Sequence, residues 1–195
     1  MSVATADREL STADIRRIVA AVMCSFVVGV DSREQNPWRF LRIFAGAKDK
    51  HAPLQVPTQA VTLGEGDYTI VGREHEIRLE RKSPEDLYST LSHGRARFER
   101  ELERLAAFPF SAVVVESGFQ ELIDHPRTRM SKRAFAASVI ALSMRFPTRW
   151  YFPGPRPYAE AFGFRLLERW HTDRTNEDKP KRITSAKSAE CSVRP

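Results

Sequence analysis

The chain predicts an α/β fold, a central mixed β-sheet flanked by helices, and three observations carry that expectation. Residues 25–30 and 112–115 form unbroken, largely apolar runs, as in strands buried on both faces. Glu76-Ile77-Arg78-Leu79-Glu80-Arg81 alternates with the two-residue period of a half-buried strand. Between and after them, apolar residues recur at helical spacing, as in Phe98, Leu102 and Leu105 or Phe135, Val139, Leu142 and Phe146. Helices interleaved with strands bury their apolar stripes by packing on the faces of a sheet.

The 195 residues suffice for one substantial core. We divide them into an N-terminal extension (1–22), one domain (23–171) and a polar tail (172–195) expected to be disordered. In the extension, Ser11 or Thr12 caps a short helix carrying Ile15, Ile18, Val19 and Val22, and Met23 is an alternative start. The apolar stretch 18–30 follows Arg16-Arg17 but is too short to span a bilayer. The acids Asp7, Glu9 and Asp14 precede it, and Asp31-Ser32-Arg33-Glu34 stands where a signal peptide has small residues. Cys24 and Cys191 lie far apart, with neither metal-ligand spacing nor a disulfide framework, so a reducing compartment is expected. The expectation is a soluble, intracellular protein without membrane contact: cytoplasmic or nucleoid-associated in a prokaryote, nuclear in a eukaryote.

After the strand at 25–30, residues 35–57 read as loop with a short helix around 38–44. A short strand follows at 60–63. Gly64-Glu65-Gly66 turns the chain, and 68–71 and 76–81 form a hairpin around Gly72-Arg73-Glu74-His75. Ser83-Pro84-Glu85-Asp86 starts a helix: serine caps, proline suits the first turn, and the acids complement the dipole. Ser92-His93-Gly94 interrupts before the helix bearing Phe98. The strand 112–115 ends at Glu116, and Ser131 opens the helix that Pro147 stops. A strand at 149–152 and a closing helix at 158–171 complete the domain.

Four acids stand at strand ends or turns: Asp31, Asp67, Glu80 and Glu116. Hard carboxylate oxygens with retained waters suit Mg²⁺ or Mn²⁺. On the strand at 76–81 Ile77 and Leu79 face a core, while Glu80 and Lys82 point together the other way. A carboxylate and an ammonium side by side, near a separate Gly66-Asp67 turn, are what metal-dependent phosphodiester cleavage requires. Asp67 and Glu80 are the expected primary ligands, Asp31 a third or the holder of a second ion, and Glu34 a ligand directly or through water. Lys82 would orient the attacking water. Taken singly, each acid is more readily an ordinary solvated residue than a ligand, and Asp86 is equally a helix cap or a site residue. His51, His75, His93, His125 and His171 show no paired spacing, and no Ser/His/Asp pattern or Walker-type phosphate loop is present.

Val30-Asp31-Ser32-Arg33-Glu34, Gly66-Asp67-Tyr68, Glu80-Arg81-Lys82-Ser83-Pro84-Glu85-Asp86-Leu87 and Gly94-Arg95 occur in this order. Together they resemble the XPF-type nuclease domain, with its GD…ERKxxxD signature, within the restriction-endonuclease-like PD-(D/E)xK superfamily. The resemblance spans about 24–170. It implies a restriction-endonuclease-like sheet and Mg²⁺- or Mn²⁺-dependent endonucleolytic cutting of DNA, often at branched or single/double-strand junctions, in repair or recombination. By position, it implies that Asp31, Asp67 and Glu80 are metal ligands with Glu34 nearby. Lys82 would be catalytic, and Arg33, Arg81 and Arg95 supporting or phosphate-facing. No tandem helix-hairpin-helix module follows, which leaves junction preference and oligomeric state open; a homodimer or heterodimer through the nuclease domain is consistent with the resemblance.

The net charge of +6 permits a polyanionic partner without requiring one. Residues 125–159 hold seven Arg/Lys and no acid, with Phe146, Trp150, Tyr151 and Phe152 among them. The cluster Arg127, Arg129, Lys132 and Arg133 is the expected phosphate contact, whereas the aromatics read as core. Recognition by backbone and shape is expected. The competing readings are a catalytically silent DNA-binding or scaffolding subunit and a site-specific restriction or mobile-element nuclease.

Overall fold

The computed structural model describes residues 22–45, 52–124 and 130–178. The expected N-terminal helix, His51, His125, Arg127, Arg129, Cys191 and the tail beyond 178 lie outside them. In chain order the strands are β1 (Val22–Met23), β2 (Val28–Asp31), β3 (Leu54–Gln55), β4 (Thr58–Val61), β5 (Tyr68–Ile70), β6 (Ile77–Lys82), β7 (Phe110–Val115) and β8 (Arg149–Tyr151). The helices are α1 (Pro84–Ser92), α2 (Arg95–Leu105), α3 (Phe119–Asp124), α4 (Lys132–Arg145) and α5 (Arg156–Glu177). Six strands make one mixed sheet in the order β4-β2-β5-β6-β7-β8, and β1 and β3 pair separately.

Only β5 runs against its neighbours; β2 is parallel to β4, and β6, β7 and β8 are mutually parallel. Two antiparallel steps separate β2 from β6, so these two strands point the same way. The carboxyl ends of β2, β6 and β7 therefore share one sheet edge with the beginning of β5, the kind of edge at which open α/β sheets place their sites.

Each face of the sheet buries its own core. Ile77 and Leu79 of β6, with Ala112 and Val114 of β7, pack with Trp38, Phe40, Tyr68 and the α5 residues Phe164 and Leu167. Val113 and Val115 turn the other way, against Leu87 and Leu91 of α1, Phe98 and Leu102 of α2, and Phe135, Val139 and Leu142 of α4. This two-sided burial is why β7 is apolar from Ala112 to Val115. Phe146, Trp150 and Phe152 belong to the second core, as the sequence suggested. The Ser83 hydroxyl accepts from the Asp86 amide at 3.1 Å, and the Ser131 hydroxyl caps α4 through the Ala134 amide at 3.2 Å. Such caps are worth about 1 kcal/mol each.

The expected helix around 38–44 does not form. Trp38 and Phe40 both turn into the first core, Trp38 stacking on Tyr68 at 4.4 Å. To let neighbouring side chains face opposite ways, Phe40 adopts a φ of 56°, outside the helical range. Aromatic burial outweighs local helix preference there. The short α3 and the β1–β3 pair were not anticipated, since both are too brief to show a period. The closing helix begins at Arg156 and continues past His171 to Glu177. Its polar end is held by the pairs Arg169–Asp173 (2.8 Å) and Arg174–Glu177 (2.6 Å), which a search for apolar period does not see. Among the described residues no helix is long and apolar enough to cross a membrane.

Candidate active site

Asp31 ends β2, Asp67 precedes β5, and Glu80 and Lys82 close β6. All four line one cleft of about 600 Å³, joined there by Arg33, Glu34, Arg81 and Asp86. Backbone bonds register the contributing strand ends: Asp31 N–H donates to Asp67 O at 2.8 Å, and Asp67 N–H to Leu79 O at 2.8 Å. Gly66 makes the turn possible, because its φ is +75° and a Cβ there would sit 3.2 Å from the Leu79 carbonyl oxygen. The Asp67 carboxylate is fixed by the Arg81 amide at 2.7 Å.

Lys82 Nζ donates to Glu80 Oε1 at 2.5 Å and lies 3.9 Å from Glu101 and 4.9 Å from the Phe98 ring centroid. Burial acts against its charge, yet Glu80, Glu101 and Asp67 outweigh burial and raise its pKa above the usual lysine value. Lys82 is thus a cation at neutral pH. Burial first, and then the charge of Asp67, raise Glu80 well above the usual carboxylate range, with Lys82 partly opposing. Asp67 is pushed up to about 7, chiefly by burial and further by Glu34, against the Arg81 amide and Lys82. For Asp31, burial works upward but the Arg33 hydrogen bonds and charge prevail, leaving it below the usual range. That pair is 2.7 Å long, with the guanidinium largely exposed.

A second set of charges runs from the cleft wall, at Glu34 and Arg81, to Glu116 outside the cleft. Arg81 bridges Glu34 at 3.1 Å and Glu116 at 3.3 Å, all three nearly buried. Glu116 also accepts from Arg156 at 2.9 Å and Trp38 Nε1 at 2.8 Å. Of the four acids singled out at strand ends, Glu116 therefore joins this scaffold and does not line the cleft. Its partners, Trp38, Arg81 and Arg156, come from three distant segments, so no local pattern announces them.

Among the described residues no group of three or more His, Cys, Asp or Glu is close enough together to hold a metal ion. Asp31, Glu34 and Glu80 are instead each bonded to a cationic side chain. The donor chemistry nevertheless fits a hard divalent cation. Burial raises the proton affinity of both Asp67 and Glu80, and the charges of Glu34 and Asp67 respectively raise them further, an electrostatic cost that a cation between carboxylates relieves.

Other expected residues lie elsewhere. Arg95 binds Glu99 at 3.0 Å and Ser138 at 3.1 Å, holding α2 to α4 away from the cleft. Lys132 pairs with Asp124 at 2.5 Å and, like Arg133, occupies the first turn of α4 and does not line the cleft. Asp86 both lines the cleft and accepts from the Ser83 hydroxyl at 2.7 Å, so its two readings coexist. Arg97, Glu101 and Arg104 of α2 form one wall of the cleft and were missed. Their helical spacing, one residue ahead of Phe98, Leu102 and Leu105, was the available signal. Arg104 ties that wall to the Gly64–Gly66 turn through Glu65.

Fold and cleft together define an α/β domain that gathers acids and one lysine at the ends of its parallel strands. The ERCC4 domain family matches residues 30–161, and the chain belongs to that family. Among solved structures it is similar to XPF from Aeropyrum pernix in a complex with DNA, at 25% identity and a TM-score of 0.55. That match covers 76% of this chain and 66% of the other, so the chain spans just under two thirds of that relative. A second structure of XPF from Aeropyrum pernix shares the fold, with 24% identity, a TM-score of 0.53, and coverage of 77% of this chain and 67% of that one. A comparison with curated proteins found no match.

Proposed function

We propose that the protein is a Mg²⁺- or Mn²⁺-dependent DNA endonuclease that hydrolyses phosphodiester bonds at branched or single/double-strand junction DNA, in repair or recombination. The observation that carries this is the convergence of Asp31, Asp67, Glu80 and Lys82 on one cleft in a chain of the ERCC4 domain family. Asp31, Asp67 and Glu80 would hold the ion, with Glu34 adjoining. When bound, such an ion polarises the phosphate and lowers the pKa of a neighbouring water. Lys82, held cationic by Glu80 and Glu101, orients the attacking water and offsets the charge that grows on the phosphoryl oxygens. Glu80 in turn fixes the ammonium in place.

A second reading is favoured by one observation: three of the acids are paired with cations and none forms a three-acid group among the described residues. On that reading the chain is a catalytically silent DNA-binding or scaffolding subunit of a nuclease heterodimer. Purified protein incubated with Mg²⁺ or Mn²⁺, or with EDTA, and labelled single-stranded, duplex, flap and fork DNA separates the two. Metal-dependent cutting concentrated on flap and fork substrates is expected, with none in EDTA. Binding without cutting in either metal would select the silent subunit.

Pairing of two such domains fits α4. Ile140 and Met144 are 52% and 82% exposed there, beside a hollow lined by Phe119, Phe146, Trp150 and Phe152. Exposed apolar side chains grouped one turn apart on a helix mark association sites, and we place a homodimer or heterodimer contact on this face of α4.

A further inference from the structure

The 36–44 loop is built more rigidly than its lack of secondary structure suggests. Arg156 donates to the Asn36 and Pro37 carbonyls at 2.8 Å each, and Arg165 to the Phe44 carbonyl at 2.5 Å. The Trp38 amide donates to the Tyr68 hydroxyl at 2.7 Å. Trp38 and Phe40 are buried, and Phe40 is the one non-glycine residue with positive φ among those described. A bulky residue holds that conformation only where its surroundings impose it, and such outliers cluster at functional sites.

The consequence of the turn is what it leaves outside. Leu41 stands 78% exposed on this pinned loop, between Arg39 and Arg42. No hydrogen bond or ion pair engages either arginine among the described residues. Both line a hollow of about 330 Å³ with Leu41 and Arg156, in which Glu160 is the single acid. Arg39 also lines a groove that contains Asp31 and Glu34, and those two acids line the catalytic cleft. Two unneutralised cations and a fixed apolar tip thus adjoin a cleft whose own acids repel DNA.

We infer that Arg39, Leu41 and Arg42 form a junction-gripping element: the arginines hold phosphates of the duplex arm beside the cut, and Leu41 covers the last base pair at the branch point. The two guanidiniums are complementary to a polyanion that the carboxylates cannot attract. Apolar side chains placed between base steps open the stack at such points. This rests on the nuclease reading of the adjoining cleft, because it names the substrate feature that the cleft is offered.

Binding read in Ca²⁺ or EDTA separates failure of this element from failure of the chemistry. The probes are fork and blunt-duplex DNA, the fork carrying 2-aminopurine at the branch. Arg39→Ala and Arg42→Ala should each reduce the slope of log K against log salt by about 0.9, while Arg169→Ala on the far part of α5 leaves it unchanged. Leu41→Ala should lose most of the 2-aminopurine fluorescence rise and the preference for fork over blunt duplex, and Leu41→Met should restore both. These side chains are exposed, and melting curves matching wild type confirm that the variants fold. Wild-type salt slope and fluorescence in all the loop variants would overturn the inference, as would an absence of DNA binding by the wild type. Normal loop effects without cutting in Mg²⁺ or Mn²⁺ would sink only the nuclease reading.

Discussion

Asp67 shows what the cleft costs the fold. Its carboxyl is pushed from the ordinary 3.8 up to about 7, first by burial and then by Glu34. A carboxylate whose pKa is raised on folding binds its proton more tightly in the folded state. Below about pH 4 both states are protonated and no penalty exists. Stability is then lost as pH rises toward 7, and the whole penalty is present above it. Asp67→Asn keeps the acceptor for the Arg81 amide and removes the charge. Its melting temperature in EDTA should exceed that of wild type at pH 8, the gain should vanish near pH 4, and cutting should be lost. A lower melting temperature at pH 8 would show that the charge is compensated without a cation. The same titration predicts that the Mn²⁺ midpoint for cutting rises about fivefold from pH 7 to pH 6, since a ligand must shed its proton to bind. A midpoint independent of pH would remove Asp67 from the ligand set.

At the scale of elements, the most telling contact lies between a loop and a helix. A Cβ on Gly163 of α5 would fall 2.5 and 2.8 Å from Trp38 ring atoms, and that ring is buried and stacked on Tyr68. Gly163→Ala should therefore cost about 1–3 kcal/mol through overpacking, read as a lower urea midpoint. Gly118→Ala, with nothing within 4 Å of the added methyl group, should leave the midpoint where it was. Equal midpoints would mean that the loop does not seat on α5. This contact also shows where the sequence ceased to be legible. Residues 83–105 were readable because Ser83, Pro84, Leu87 and Leu91, then Phe98, Leu102 and Leu105, state cap and period locally. Trp38 and Phe40 obey partners 30 to 125 positions away in the chain (Tyr68, Gly163 and Phe164), and local rules mistook them for a helix. Likewise Asp31, Asp67, Glu80 and Lys82 were visible as strand-end residues, whereas the role of Glu116 depends on Trp38, Arg81 and Arg156 meeting only in the folded state.

The whole molecule divides its labour between two faces and one edge. α5 and the 36–44 loop cover one face of the sheet, α1, α2 and α4 the other, and the strand ends between them form the cleft. The exposed side of α4 is then free for association. Met144→Glu should shift a dimer toward monomer in sedimentation without lowering the melting temperature of the monomer; an unchanged sedimentation coefficient for a dimeric protein would move the contact elsewhere.

Single-turnover cutting of fork DNA by Lys82→Ala, with DNA affinity measured alongside, tests the central assignment most directly. Lys82 is expected to act on charge that develops only as the bond breaks, so its loss should slow cutting by about 100- to 1,000-fold and leave the Kd for DNA nearly unchanged. Cutting at the wild-type rate, or a loss of binding that accounts for the whole defect, would contradict the assignment.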